Sequence, residues 1–207
     1  DIDSGVYNNR VKTIALWFKS SDGSQACLFD FGLNTMIIEI NGNNLYFRHS
    51  ITNPTMLVHW SHRTKWLNTG AWVHLAFTIS QPGGSGTEAT GKVYSDTSTL
   101  TESDITATKV SAGGDINGNK PYESNIDEIS WWNGVALDAD AITAIYNSGE
   151  PIDLSSDSGN YDNSSALVHW WRMGDGDTYP TLQDSVGSLD LTMTNMTSGD
   201  IVTDVPS

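Results

Sequence analysis

The chain contains one cysteine, Cys27, among 207 residues. That excludes an intrachain disulfide and a thiolate metal cage, and Cys27 itself, inside the apolar run Ala-Cys-Leu-Phe-Asp-Phe, reads as a buried, inert thiol. Charge is also scarce: Asp, Glu, Lys and Arg make up 17% of the residues, against about 25% in typical domains. Cations nearly vanish after residue 120. Residues 121–207 hold Arg172 alone against 15 carboxylates, a net of -14, whereas residues 1–120 hold 9 cations and 10 anions, a net of -1. A total of -15 removes the attraction to phosphate on which nucleic-acid and anionic-membrane binding depend. Metal cations, basic protein surfaces and neutral sugars remain as partners. No apolar stretch reaches the ~18 residues of a membrane span, and no basic-then-apolar leader opens the sequence. A soluble chain without membrane insertion is therefore expected. Gly-x-Ser-x-Gly, P-loop and His-Glu-x-x-His motifs are absent as well.

What is present is a β pattern. Hydrophobic residues at 38%, with 19 Gly, suffice for a core, and the length fits one domain. Residues 11–18 (Val-Lys-Thr-Ile-Ala-Leu-Trp-Phe) and 27–31 read as strands from their β-branched and aromatic content. Residues 36–40 and 45–49 flank Asn41-Gly-Asn-Asn44, which predicts a hairpin. Residues 56–60 follow. In 71–79, Val73, Leu75, Phe77 and Ile79 alternate with Trp72, His74, Ala76 and Thr78, a strand with one wholly apolar face. Residues 91–94 form a short strand, and weakly patterned polar sequence runs on to residue 120. A strand resumes at 125–133. Residues 138–147 read as the one helix: Asp138 at the N-cap, Ile142, Ile145 and Tyr146 on one face, Gly149 and Pro151 as stops. Residues 152–165 are Ser, Asp, Asn and Gly, a linker or surface-hugging loop. Residues 167–173 and 189–196 are strand-like again. The pattern predicts an all-β jelly-roll sandwich of two antiparallel sheets with one short helix.

Three blocks carry a family resemblance. The strand Thr-Ile-Ala-Leu-Trp-Phe-Lys at 13–19, the strand Thr-Gly-Ala-Trp-Val-His-Leu-Ala-Phe-Thr at 69–78, and Asn-Ile-Asp-Glu-Ile-Ser-Trp-Trp-Asn at 125–133 with the helix after it resemble, in order and spacing, the laminin-G-like, concanavalin A-like jelly-roll domains. The resemblance implies a laminin-G-like domain over 1–150 and an acidic C-terminal extension over 151–207. Its two strands either complete the sandwich or contact a neighbouring subunit. Residues 167–177 (Leu-Val-His-Trp-Trp-Arg-Met-Gly-Asp-Gly-Asp) resemble a segment that usually begins such a domain. In this form, closing on Asp200-Ile-Val-Thr-Asp-Val-Pro206, they are similar to tails of laminin-G-like proteins of marine bacteriophages. Because this fold hosts many functions, the site residues decide.

A retaining glycosidase needs two carboxylates about 5–5.5 Å apart, delivered by alternate residues of a strand. Glu123, Asp127 and Glu128 lack that spacing, since alternation sends Asp127 and Glu128 to opposite faces. No enzymatic activity is expected. His59 and His62 read as surface or packing residues, and His74 takes a structural role by its place in the resemblance. Calcium is the metal the acidity favours, through hard oxygen ligands. Asp115, Asn117 and Asn119 place side-chain oxygens at alternate positions, although Ile126 stands where an EF-hand would close with Glu. Asp175 and Asp177 form the second candidate loop, and the alternative for both is ordinary turn chemistry. Asp127 falls at the IDE position of the pattern and reads as a tie for backbone amides.

The 8 Trp are the remaining signal, because exposed aromatic rings stack on sugar faces. Trp17, Trp72 and Trp131 fall at core positions of the resemblance. Trp60, Trp66, Trp132 and Trp171 (or Trp170) are left for carbohydrate. In Trp131-Trp132 and Trp170-Trp171, adjacent side chains point to opposite faces, so one of each pair is expected to leave the core. The expected function is a non-catalytic virion or surface module of the phage decoration or fibre type, binding glycans or neighbouring subunits, as a homo-oligomer on a particle or outside a cell. The alternative is a secreted lectin module of an extracellular enzyme.

Overall fold

The computed structural model describes residues 12–19, 26–30, 36–41, 44–49, 56–60, 70–80, 89–94, 99–102, 111–112 and 124–207. Its strands are β1 (Lys12–Lys19), β2 (Ala26–Asp30), β3 (Met36–Asn41), β4 (Asn44–His49), β5 (Met56–Trp60), β6 (Trp72–Ser80), β7 (Ala89–Tyr94), β8 (Thr99–Glu102), β9 (Ser111–Ala112) and β10 (Asn125–Asn133). Helix α1 (Ala139–Tyr146) follows, then β11 (Leu167–Trp171), β12 (Thr181–Leu182) and β13 (Leu191–Thr192). One antiparallel sheet runs β11-β10-β1-β6-β7-β8 and the other β5-β4-β3-β2-β9, with β12 and β13 as a separate pair. The all-β jelly roll, with one short α-helix among the described residues, is thus the observed architecture. Strands β8 and β9 arise within the stretch that lacked a clear pattern.

The inner face of the larger sheet follows from register. Ile14 lies opposite Phe77 and Trp131, Leu16 opposite Leu75, and Ile129 opposite Trp171. All are buried, and Trp171 meets Phe29 of the second sheet with ring centroids 6.2 Å apart. The outer face carries Thr13, Ala15, Trp17, His74, Ala76, Ser130, Trp132 and Trp170 by the same alternation. Helix α1 covers it. Asp138 caps the helix by accepting from the amides of Asp140 (3.1 Å) and Ala141 (2.9 Å), and Asn147 closes it in a left-handed conformation at φ 42. Ala141, Ile142 and Ile145 turn inward onto Ala15, Ala76, Trp132 and Trp170.

Segment 152–165 completes this outer core. Of its three large apolar residues, Leu154 and Tyr161 are buried there and Ile152 packs partly buried against them. The Tyr161 hydroxyl donates to the Leu154 carbonyl (2.8 Å) and accepts from Trp132 Nε1 (3.0 Å). Burial pushes the phenol up to about 12, so it stays a neutral donor at every ordinary pH.

The expectation that one Trp of each pair leaves the core is therefore corrected. Adjacent Trp side chains do point to opposite faces, but both faces are covered. Trp131 and Trp171 fill the space between the sheets, while Trp132 and Trp170 fill the layer beneath α1. Trp132 and Trp171 are each 0% exposed, so neither presents a ring to a sugar.

The edge of β11 is closed by residues 183–190. Asp184, buried in that loop, accepts from the amides of Trp170 (3.0 Å), Gly187 (2.9 Å) and Leu189 (3.1 Å) and pairs with His169 Nδ1 at 2.5 Å. Burial alone would raise this carboxyl, but the His169 bond and the backbone amides outweigh it and hold it at about 2. An edge strand capped in this way offers no free template to another chain. A Cβ at Gly187 would lie 2.5 Å from the Val168 carbonyl and 2.7 Å from His169 Nδ1, and also against Asp184 Oδ2.

Two expected outcomes follow, both read by chemical denaturation. Trp132→Ala should cost about 3–5 kcal/mol of stability, as a buried aromatic does; a variant of native stability would place Trp132 outside the core. Gly187→Ala should cost about 2 kcal/mol through overpacking against a backbone carbonyl, and a neutral result would mean that the 183–190 loop yields freely.

Candidate functional site

Chemistry-bearing side chains converge on the outer face at β10. Alternation places Asp127 and Glu128 on opposite sides, but the strand carries a β-bulge. Ala15 pairs with Ser130 and Trp17 with Asp127, which leaves one extra residue on β10. Glu128 takes up the irregularity with φ 50, a left-handed conformation rare for a side chain of this size. Its carboxylate turns to the outer side, accepting from Trp170 Nε1 at 2.5 Å and Arg172 Nε at 3.3 Å. Asp127 Oδ1 accepts from the amide of Glu128 at 2.8 Å, the backbone tie expected of it. The two acids thus share one side of the sheet, which corrects the opposite-face reading.

The electrostatics follow from this crowding. Burial, then the neighbouring Glu128 charge, raises Asp127 to about 7. Burial also raises Glu128, against the pull of the Trp170 and Arg172 hydrogen bonds. Arg172 stacks its guanidinium over Trp170 at 5.1 Å and extends Nη2 to Asp175 at 2.6 Å. One cation therefore serves Glu128 and Asp175 together.

A narrow cleft opens beside Glu128, between the sheet and the segment after α1. Trp17, His74, Glu128, Ser130, Ile145 and Ile152 line it, and its walls leave room for about one water. His74 is held down to about 4 by burial and stays uncharged. It lies between Trp17 (4.9 Å) and Tyr146 (6.0 Å), and Tyr146 stacks on Trp17 with centroids 5.6 Å apart. Tyr146 does not sink with the rest of the helix face. It remains 43% exposed, so the ring that packs on Trp17 also keeps part of its surface in solvent. The imidazole is thus structural, as the resemblance implied.

The residues singled out from sequence are not gathered here. Trp60 lies in β5 opposite Leu45, and Trp66, Asp115, Asn117 and Asn119 lie outside the described residues. Asp177 accepts from the amides of Gly174 (2.9 Å) and Gln183 (2.8 Å), and Asp175 is held by Arg172. Among the described residues no three His, Cys, Asp or Glu side chains come together as a metal cage. Sequence reasoning missed Glu128, Arg172 and Tyr146 as a group. The available signal was Arg172, because a lone cation in an acidic segment must find anionic partners.

The family model described as the Concanavalin A-like lectin/glucanases superfamily, a laminin-G type, matches residues 2–143. The chain belongs to this superfamily. No curated protein matches it. Among solved structures it is similar to a "putative carbohydrate binding protein" from Bacteroides ovatus, at 16% identity and a TM-score of 0.63, over 88% of this chain and 51% of that one. The chain thus spans about half the length of that structure. It is also similar to a heptameric SAP-like pentraxin from Limulus polyphemus, at 13% identity and a TM-score of 0.45 over 66% of this chain and 70% of that one. At such identities the likeness is one of fold.

Removing the Glu128 carboxylate leaves the buried Trp170 Nε1 donor without an acceptor, while the half-exposed Arg172 still bonds Asp175. Glu128→Ala should therefore cost about 2 kcal/mol by urea denaturation, with Glu128→Gln markedly milder because its carbonyl still accepts from Trp170. Equal effects of the two variants would contradict this hydrogen-bonding role.

Proposed function

We propose that the chain is a non-catalytic carbohydrate-binding module whose sugar contact is the outward ring of Tyr146. The supporting observation is the stack of Tyr146 on Trp17: it fixes an exposed aromatic face, and C–H groups of a pyranose stack on such a face. The cleft beneath is too narrow for a sugar ring. Asp127 and Glu128 therefore cannot flank a glycosidic bond, which supports binding without hydrolysis. Membership of a lectin-bearing superfamily and the Bacteroides neighbour favour the same reading.

The setting is part of the proposal. The resemblance of residues 167–206 to the C-terminal tails of laminin-G-like proteins of marine bacteriophages favours a virion or cell surface, with glycans or neighbouring subunits as partners. The second setting is a module within a larger secreted protein, favoured by the half-length match to the Bacteroides structure. Native mass of the assembly separates them, a symmetric oligomer supporting the first and a monomer the second.

A glycan array read with wild type and Tyr146→Ala tests the site. Wild type should bind a defined set of sugars, and the variant should lose about tenfold or more in affinity while melting close to wild type. Unchanged binding by the variant would move the site elsewhere, and no binding by wild type would overturn the carbohydrate reading.

A further inference from the structure

The outer face of the larger sheet carries two neighbouring rows where β6, β1 and β10 lie side by side. His74, Trp17 and Asp127 stand opposite one another in the first, and Trp72, Lys19 and Asn125 in the second, two residues along each strand. Tyr146 packs on Trp17 and His74 of the first row. The second row lies about 7 Å farther along the strands. Its three side chains converge on one carboxylate, that of Asp204 in the C-terminal tail. Asp204 Oδ2 accepts from Lys19 Nζ at 2.7 Å and from Asn125 Nδ2 at 3.0 Å, and Oδ1 accepts from Trp72 Nε1 at 3.3 Å. Lys19 Nζ also stands 6.0 Å from the centroid of the Trp72 ring.

An ammonium, an amide and an indole N–H from three strands thus take both oxygens of one carboxylate, with charge-assisted bonds on the Lys19 side. Their present occupant is loosely committed. The Asp204 side chain is 48% exposed, and an ion pair so open to water contributes little. The tail is fastened at other points: Pro206 is buried, the Ser207 carbonyl oxygen lies 3.5 Å from where a Cβ on Gly149 would stand, and Ile201 packs at Gly174. Rotation of the Asp204 side chain into solvent therefore frees all three donors while the tail stays in place.

We propose that Trp72, Lys19 and Asn125 form a subsite for the carboxylate of an acidic sugar, and that Asp204 occupies it until the ligand displaces it. The proposal rests on the reading of Tyr146 as the sugar contact: a ring stacked there brings its own carboxylate, or that of the adjoining sugar unit, to the next row of the sheet. A ligand carboxylate replaces Asp204 bond for bond, whereas a neutral sugar leaves Asp204 where it is. The net charge of -15 gives no long-range attraction to an anion, so selection comes from the three donors at contact.

The test is a glycan array that pairs each uronic- or sialic-acid glycan with its neutral methyl ester and with a sulfated counterpart, read for the full chain as wild type, Lys19→Met and Asp204→Ala. Both variants alter an exposed ion pair and should melt close to wild type. Wild type should bind the carboxylated member about fivefold tighter than its ester. Asp204→Ala should widen that ratio about threefold further, because the tethered competitor is gone, and Lys19→Met should bring it to about one. A ratio that Lys19→Met leaves unchanged, or that Asp204→Ala narrows, would overturn the subsite. So would an equal gain from sulfate, which would mean that the row reads charge and not a carboxylate. Esters and acids bound equally by wild type and Asp204→Ala would remove the subsite and leave the Tyr146 reading standing, whereas no binding of any member would remove both.

Discussion

The pairing of β10 with β1 on one edge and β11 on the other, with both of its faces buried, is the constraint on which the rest depends. A strand so placed has no solvent side, so its side chains must satisfy two cores at once. Ile129 and Trp131 serve the space between the sheets; Ser130 and Trp132 serve the layer under α1. That second layer exists because α1 and segment 152–165 supply Ile142, Ile145, Leu154 and Tyr161 from outside the sandwich. Without it, Trp132 and Trp170 would expose the large apolar surface that monomers avoid.

Coverage on both faces also decides where chemistry can occur. Polar side chains gather where regular pairing fails, at the bulge that turns Glu128 toward Trp170 and Arg172. Ring surface remains open where α1 ends, at Tyr146. The C-terminal tail is drawn into the same arrangement: Asp204 takes a salt bridge from Lys19 at 2.7 Å and hydrogen bonds from Asn125 (3.0 Å) and Trp72 (3.3 Å). Part of the acidity beyond residue 120 is therefore spent on local bonds, as with Asp138 at the helix cap and Asp184 at the edge of β11.

The body of the fold was legible in sequence. Residues 71–79 alternate cleanly, 125–133 are dense in aromatic and β-branched residues, and Asp138 and Asn147 bracket a helix with an apolar face. Other features were hidden for physical reasons. Strands β8 and β9 are short and take their place from neighbours that pair with them. Alternation tells which way Trp131 and Trp132 point but not whether a further layer covers the outer side, so Trp132 read as a sugar platform. The polar composition of 152–165 conceals that Ile152, Leu154 and Tyr161 anchor it. The bulge has no signature, since Glu128 adopts a left-handed backbone that its residue type does not favour. Tyr146, the ring left open to solvent at the end of α1, looked in sequence like one more core position of the helix.

The central claim is that residues 150–207 are a working part of the sandwich, held through β11, and not an appendage to it. Native-state hydrogen exchange measures this directly. The β11 amides bonded to β10 should be protected to the same free energy as those of β1 and β6, because all three open only with the whole sheet. Exchange of β11 through a much smaller local opening, with β1 and β6 still protected, would contradict the account.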